Sequence, residues 1–442
     1  MRRRRRKDAG AAVAALAALG LLSATPSPAG QEAAAVSGAG PAAPIEAPAA
    51  AAQPSGVLRW LDPATAPFIP VPEIDVDPQS GVTLGVYAVV LGVNDHGEIE
   101  RITAPDVFHS QYFGSGAGVS VYGYPSQDSQ WYVDGSLKER VEREFNARYF
   151  AGLTRASPLS WSVETSYERV GSARFFGIGN ETPDYKESTY VDAQASLAAS
   201  VGYNFTPALQ LAYGVRWRHV DVLPGVLSGI PSIDTLYPDI NGLGAEHALE
   251  QTVTLTRDTR DSILIPRSGA RYILYGGFAS RSAGSSVAYS YLGVEARCYL
   301  PLGSEVTLAW HAAARYMPSA AEAPFWALSS LGGDRSVPNG REPLRSEVAN
   351  RYVDANLFAT GAELRTRVAG IDAFGTHVSL EVAPFIDTGK VFTNSPNNLL
   401  SELHTALGVG MRGVASPYVV GYVDVGFGGG KAVVFSGINY PF

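Results

Sequence analysis

One cysteine, Cys298, stands among 442 residues, and no later stretch is apolar for the roughly 20 residues that a membrane-spanning helix needs. The lone thiol excludes an intramolecular disulfide and a thiolate metal centre. The longest apolar candidate, Gly81 to Val93, is 13 residues long and opens on a turn signal. No Gly-x-Ser-x-Gly elbow occurs, which counts against a fused esterase or patatin-like lipase. The run Gly426-Phe427-Gly428-Gly429-Gly430-Lys431 lacks the hydroxyl of a phosphate loop, because Ala432 follows the lysine; it reads as a glycine-rich hairpin turn. None of the seven histidines has a ligand partner at helical or hairpin spacing, and Glu73, Asp75 and Asp77 read as a solvated lead-in rather than a calcium site. No enzymatic activity, metal or cofactor is expected.

What is present points to export. Met1 to Lys7 hold five arginines and a lysine, a small and apolar run follows from Ala9 to about Ala24, and Ser27-Pro28-Ala29 offers a small-residue cleavage site. Residues 1–29 are therefore predicted to be a secretory signal peptide. Residues 30–66 are rich in Ala, Pro, Gly and Ser, with too little bulky apolar surface to fold, and are expected to form a tether. The whole chain carries −8, and without residues 1–29 the balance is 28 − 41 = −13, which argues against nucleic-acid binding.

From 67 to 442 the chain alternates. Val191, Ala193, Ala195, Leu197, Ala199, Val201, Tyr203 and Phe205 are apolar, with Asp192, Gln194, Ser196 and Ser200 between them. After a turn, Leu209, Leu211, Tyr213, Val215 and Trp217 oppose Gln210, Arg216 and Arg218, completing a hairpin. Glu295 to His311 repeat the pattern around Pro301-Leu302-Gly303, with His311 an ordinary inward residue. Mean hydropathy is only +0.01, although aromatics make up 10% of the chain; a barrel with a polar lumen has this balance, whereas a β-sandwich uses shorter strands. The fold class predicted is all-β, a transmembrane antiparallel β-barrel; counting residues per strand gives about 16 strands. The last segment places Ile438, Tyr440 and Phe442 on one face, read as lipid-facing girdle residues and a C-terminal barrel signal.

Six short motifs occur in order: Arg174-Phe175-Phe176-Gly177-Ile178-Gly179-Asn180; Asp258-Thr259-Arg260-Asp261 leading to Pro266-Arg267-Ser268-Gly269; Leu331-Gly332-Gly333; Gly361-Ala362-Glu363-Leu364-Arg365; Phe385-Ile386-Asp387-Thr388-Gly389; and Tyr440-Pro441-Phe442. Together they resemble the bacterial surface-antigen barrel of the BamA/TamA superfamily, over roughly Phe175 to Phe442. The resemblance implies a 16-stranded barrel in the bacterial outer membrane, in contact with its lipids, whose first and last strands pair loosely. It also implies a role in inserting or translocating proteins, with outer-membrane or secreted proteins as clients. Two departures accompany it. The segment ahead of the barrel is too short and Pro/Ala-rich for the periplasmic POTRA modules usual in the family, so a periplasmic accessory subunit is the expected substitute. Pro338, Asn339 and Gly340 stand where the family's Arg-Gly-aromatic loop tip would align, leaving Arg335 or Arg341 to supply a guanidinium.

The resemblance further implies that this loop folds into the lumen against acidic wall residues, for which Glu363, Glu381 and Asp387 are candidates, with Arg365 and Arg367 nearby. Asp258, Arg260 and Asp261 read as a turn cluster. Glycines at 421, 426, 428, 429 and 430 crowd the last hairpin and predict a labile C-terminal seam. Two functional classes follow: an assembly or translocation barrel that templates incoming strands at that seam, or a passive pore or structural barrel.

Overall fold

The computed structural model describes residues 68–93, 99–126, 128–337, 340–373, 376–394, 399–415 and 419–442; the predicted signal peptide and tether lie outside them. Nearly all of the regular structure is one antiparallel sheet of eighteen strands. Its first part runs β1 (Ile69–Asp77), β2 (Gly81–Val93), β3 (Ile99–Ser110), β4 (Gly114–Ser126), β5 (Ser129–Lys138), β6 (Arg143–Ala151) and β7 (Leu159–Phe175). It continues through β8 (Ser188–Thr206), β9 (Leu209–Pro224), β10 (Gly244–Asp258), β11 (Gly269–Ala279), β12 (Tyr289–Pro301) and β13 (Val306–Ser319). The connection after β13 forms a three-stranded sheet of its own, β14 (Ser329–Leu331), β15 (Arg341–Glu342) and β16 (Tyr352–Asp354). The barrel resumes with β17 (Asn356–Ala373), β18 (Thr376–Phe392), β19 (His404–Ala415), β20 (Val419–Gly428) and β21 (Lys431–Ile438).

Eighteen replaces the count of about 16 for two reasons. The lead-in Ile69–Asp77 is itself a strand, paired with β2 from Ile69 opposite Val89 to Asp77 opposite Gly81. Early hairpins are also tighter than the residues-per-strand arithmetic assumed, since β2 to β7 all fit between Gly81 and Phe175.

Antiparallel partners share a face, so the register fixes what points inward. Ser162 and Ser166 of β7 hydrogen-bond Ser200 and Ser196 of β8 at 2.8 and 2.7 Å across the inner wall. The alternate positions stay exposed: Leu197, Val201, Tyr203, Phe205, Tyr213 and Trp217 form the apolar outside that sequence alternation assigned to them. Near the turns, Tyr149 stacks on Trp161 at 5.0 Å and Tyr203 on Phe205 edge-on at 5.0 Å, an aromatic band suited to a membrane interface. The even strand number brings both ends of the barrel chain to the short-turn rim. Long connections gather at the opposite rim, the arrangement of outer-membrane barrels.

Candidate functional site

The connection from Ala320 to Ala355 turns into the barrel rather than away from it. Gly332 and Gly333 make the reversal: both have left-handed φ, 135° and 85°, and a Cβ at Gly332 would collide with the Val348 carbonyl oxygen. Their amides donate to the carbonyls of Glu342 and Glu347, each at 3.0 Å, closing the loop on itself.

That closure delivers Arg345, not the expected Arg335 or Arg341, to the acidic wall. Arg345 is fully buried. Its Nε and Nη2 donate to the two oxygens of Asp387 at 2.8 and 2.7 Å, a bidentate fork. Its Nη1 donates to Asp424 at 3.0 Å and to Glu363. The guanidinium lies 3.5 Å from the Phe385 ring centroid. Arg412 bridges Asp424 and Glu363, and Arg365 Nε reaches Glu363 at 3.0 Å. Three carboxylates thus face three guanidinium groups, and the buried cluster is neutral by mutual pairing.

Of the three wall candidates, Glu363 and Asp387 lie on the loop arginine, while Glu381 does not. It accepts a 2.7 Å hydrogen bond from Tyr440 Oη. Arg335 pairs with neighbouring Asp334 at 3.5 Å and donates to Tyr422 Oη of β20 at 2.9 Å. Arg341 lies in β15 and lines a separate part of the lumen. Pro338 and Asn339 fall outside the described residues. The expectation failed because it counted from the Gly-Gly pair: those glycines make the loop's fold, and the arginine arrives a full turn of chain later. Arg412 and Asp424 were also missed, although extending the period-two pattern through β19 and β20 would have found both inward, opposite Glu381 and Gly410.

The crowded glycines of the last strands have a second explanation. A Cβ at Gly426 would fall on the Arg345 carbonyl oxygen, and one at Gly428 on the Ser346 side chain. These two positions are open because the loop packs against β20.

The ends of the chain meet here too, and they correct the reading of the C-terminus. Strand β21 stops at Ile438, whose backbone pairs with Gly421. Asn439 takes a left-handed φ of 70° and turns the last residues inward, so Tyr440 and Phe442 do not face lipid. Phe442 is buried and stacks on His311 at 4.1 Å, its carbonyl oxygen accepts from Arg365 Nη2 at 3.3 Å, and Tyr440 lies 3.6 Å under the Arg365 guanidinium. The Ser336 amide of the loop donates to the Pro441 carbonyl at 3.1 Å.

Beside this tail lies an incomplete seam. Among the described residues no ladder pairing joins β1 to β21. One side chain bridges them: Ser436 Oγ accepts from the Val76 amide at 2.8 Å and donates to the Ile74 carbonyl at 3.3 Å. Since Val76 presents its N–H to β21, the positions in phase with it do the same, and two of them are Pro70 and Pro72. Proline has no N–H, so β1 offers the seam few donors. The gap in the ladder thus has a reason in the prolines of the first strand, where the sequence had pointed to the glycines of the last.

The outer rim holds the loop from above. Arg351 Nη2 donates to Asp184 at 2.8 Å and its guanidinium lies 4.3 Å from the Phe176 ring; Asp184 also takes Lys431. The Gly179 amide donates to the Val353 carbonyl at 2.8 Å, and Asn180 Oδ1 accepts from the Val391 amide at 3.1 Å. Four of the six sequence motifs therefore converge on one loop. The turn motif does not: Arg260 forks onto Asp258 at 2.6 and 2.9 Å at the opposite rim, a local turn cluster.

An eighteen-stranded barrel with a lumen loop pinned by buried ion pairs beside a broken seam defines a class of outer-membrane protein. The Omp85 superfamily domain matches residues 108–418, and the chain belongs to that superfamily. Among solved structures, BamA from Haemophilus ducreyi lacking POTRA domains 1–3 is similar at 13% identity, with a TM-score of 0.50 over 80% of this chain and 74% of that one. CdiB from Escherichia coli aligns at 11% identity and a TM-score of 0.47, over 85% and 63% of the two chains. No curated protein matches in sequence.

Proposed function

We propose that this barrel takes part in the insertion or translocation of proteins at the outer membrane, using the β1–β21 seam as a template for an incoming strand. The observation that carries the reading is the unpaired edge. Strands laddered on one side only present backbone groups that an extended segment can pair with, and a single serine bridge is a small barrier to displacing. The lumen loop and the tail occupy the space beside the seam, which favours this reading over an open passive pore. A periplasmic accessory subunit would supply docking in trans.

The test is outer-membrane proteomics after depletion in the native host, complemented with wild type or with a Pro70→Thr/Pro72→Thr variant that restores two amide donors to the edge. Loss of a defined set of outer-membrane or surface proteins is expected, rescued by wild type and at least several-fold less well by the variant. An unchanged proteome, or equal rescue by both, refutes the seam mechanism.

A further inference from the structure

The loop fills only part of the lumen. On its far side, against the inward faces of β7 to β10, β12 and β13, remains a cavity of about 450 Å³. This is within the ordinary size range of small-molecule sites, and the ion-paired cluster around Arg345 does not line it.

Its walls carry charges of both signs. Asp192 of β8 and Arg218 of β9 both face the cavity, as do Glu168 of β7 and Arg315 of β13. Several of these groups have unspent bonding capacity. Asp192 Oδ2 accepts from Gln194 at 2.7 Å, yet its Oδ1 is buried without any partner. Arg315 is 96% buried by its 4% exposure, its Nη groups are turned to the Ala327 carbonyl, and its Nε is unpartnered. Arg218 donates one long hydrogen bond, 3.4 Å to Tyr289 Oη, and its guanidinium lies over Trp326, 4.4 Å from the ring centroid. Glu250, the acid beside it, is already engaged by Tyr289 and Tyr291 at 2.8 and 2.7 Å.

A carboxylate and a guanidinium that line one cavity and leave capacity unused suit a guest bearing both charges. We propose that this cavity binds a small zwitterion, an α-amino acid or short peptide, with its ammonium on Asp192 and its carboxylate on Arg218.

Isothermal titration of the full chain in detergent micelles tests this, with glycylglycine as probe and N-acetylglycine and glycinamide as its singly charged counterparts. Saturable binding of glycylglycine is expected, with each counterpart at least about tenfold weaker. Arg218→Gln and Asp192→Asn should each weaken glycylglycine about tenfold or more while the barrel keeps its heat-modifiable mobility. The isosteric Asp192→Asn keeps the test informative if the arginine variant fails to fold. Absence of glycylglycine binding, equal binding of the counterparts, or affinity indifferent to both substitutions overturns the proposal.

Discussion

Replacing Arg345 by alanine is the sharpest perturbation the structure offers. The side chain is fully buried and donates to Asp387, Asp424 and Glu363. Without it three carboxylates face two guanidinium groups, and one buried charge loses its compensation. Removing one member of a buried pair costs about 3–5 kcal/mol, mostly as the penalty on the partner left behind. That penalty falls on the docked state of the loop, because an undocked loop lets water reach the wall carboxylates. Local opening should therefore increase by roughly a hundredfold to a few thousandfold. Hydrogen exchange measures it: amides of Ser329–Leu331 and Tyr352–Asp354 should exchange faster by that factor, with the barrel strands unchanged. Arg345→Lys should fall between, since it keeps charge but loses the fork. Arg341→Ala, at the position expected from sequence, should raise loop exchange several-fold less than Arg345→Ala, because Arg341 does not join the three wall carboxylates. Unchanged protection in Arg345→Ala, or equal effects at 341 and 345, would refute the assignment of the lock to Arg345.

Gly426→Ala should reproduce the loop release from the barrel side, because its Cβ would occupy the place of the Arg345 carbonyl oxygen; Gly303→Ala, with nothing within 4 Å, is the matched control, and loop exchange distinguishes them. At the rim, the hydrogen bond from Lys431 is the largest influence holding the Asp184 carboxyl below its ordinary value, helped by Arg351. A carboxyl depressed on folding adds stability above its unfolded value of 3.8 and loses it as pH falls through the lower folded value. The clasp should thus hold from pH 5 to 8 and release only in strong acid, whereas Asp184→Asn should loosen residues 176–187 at every pH; exchange rates corrected for intrinsic chemistry check both.

The barrel itself was legible because alternation is a local property. Leu197, Val201 and Tyr203 lie outside, with Ser196 and Ser200 inside, as the period of two requires. Glu363 and Asp387 were legible for the same reason: they sit at inward phases of long strands. The loop arginine was not, because its position depends on how Gly332 and Gly333 fold the chain back, and no periodicity crosses a reversal. The C-terminus misled in a related way. Tyr440 and Phe442 continue the strand's alternation in sequence, but the left-handed Asn439 ends the strand before them. Pro70 and Pro72 take on meaning only once the Val76 amide shows which way β1 faces.

These placements join the loop to the seam mechanically. Arg345 rests its carbonyl against Gly426 of β20, Arg335 holds Tyr422 of the same strand, and Ser336 holds Pro441 of the tail that continues β21. Strand β20 is the full-ladder neighbour of β21, paired from Gly421 to Gly428. A displacement of β21 away from β1 therefore moves the surface on which the loop is docked. The reverse also holds: a docked loop, fixed to β17 and β18 through Glu363 and Asp387 and to β20 through Asp424, resists that displacement. On the proposed reading, the unladdered edge is where the barrel would open, and the buried arginine would set how readily it does so.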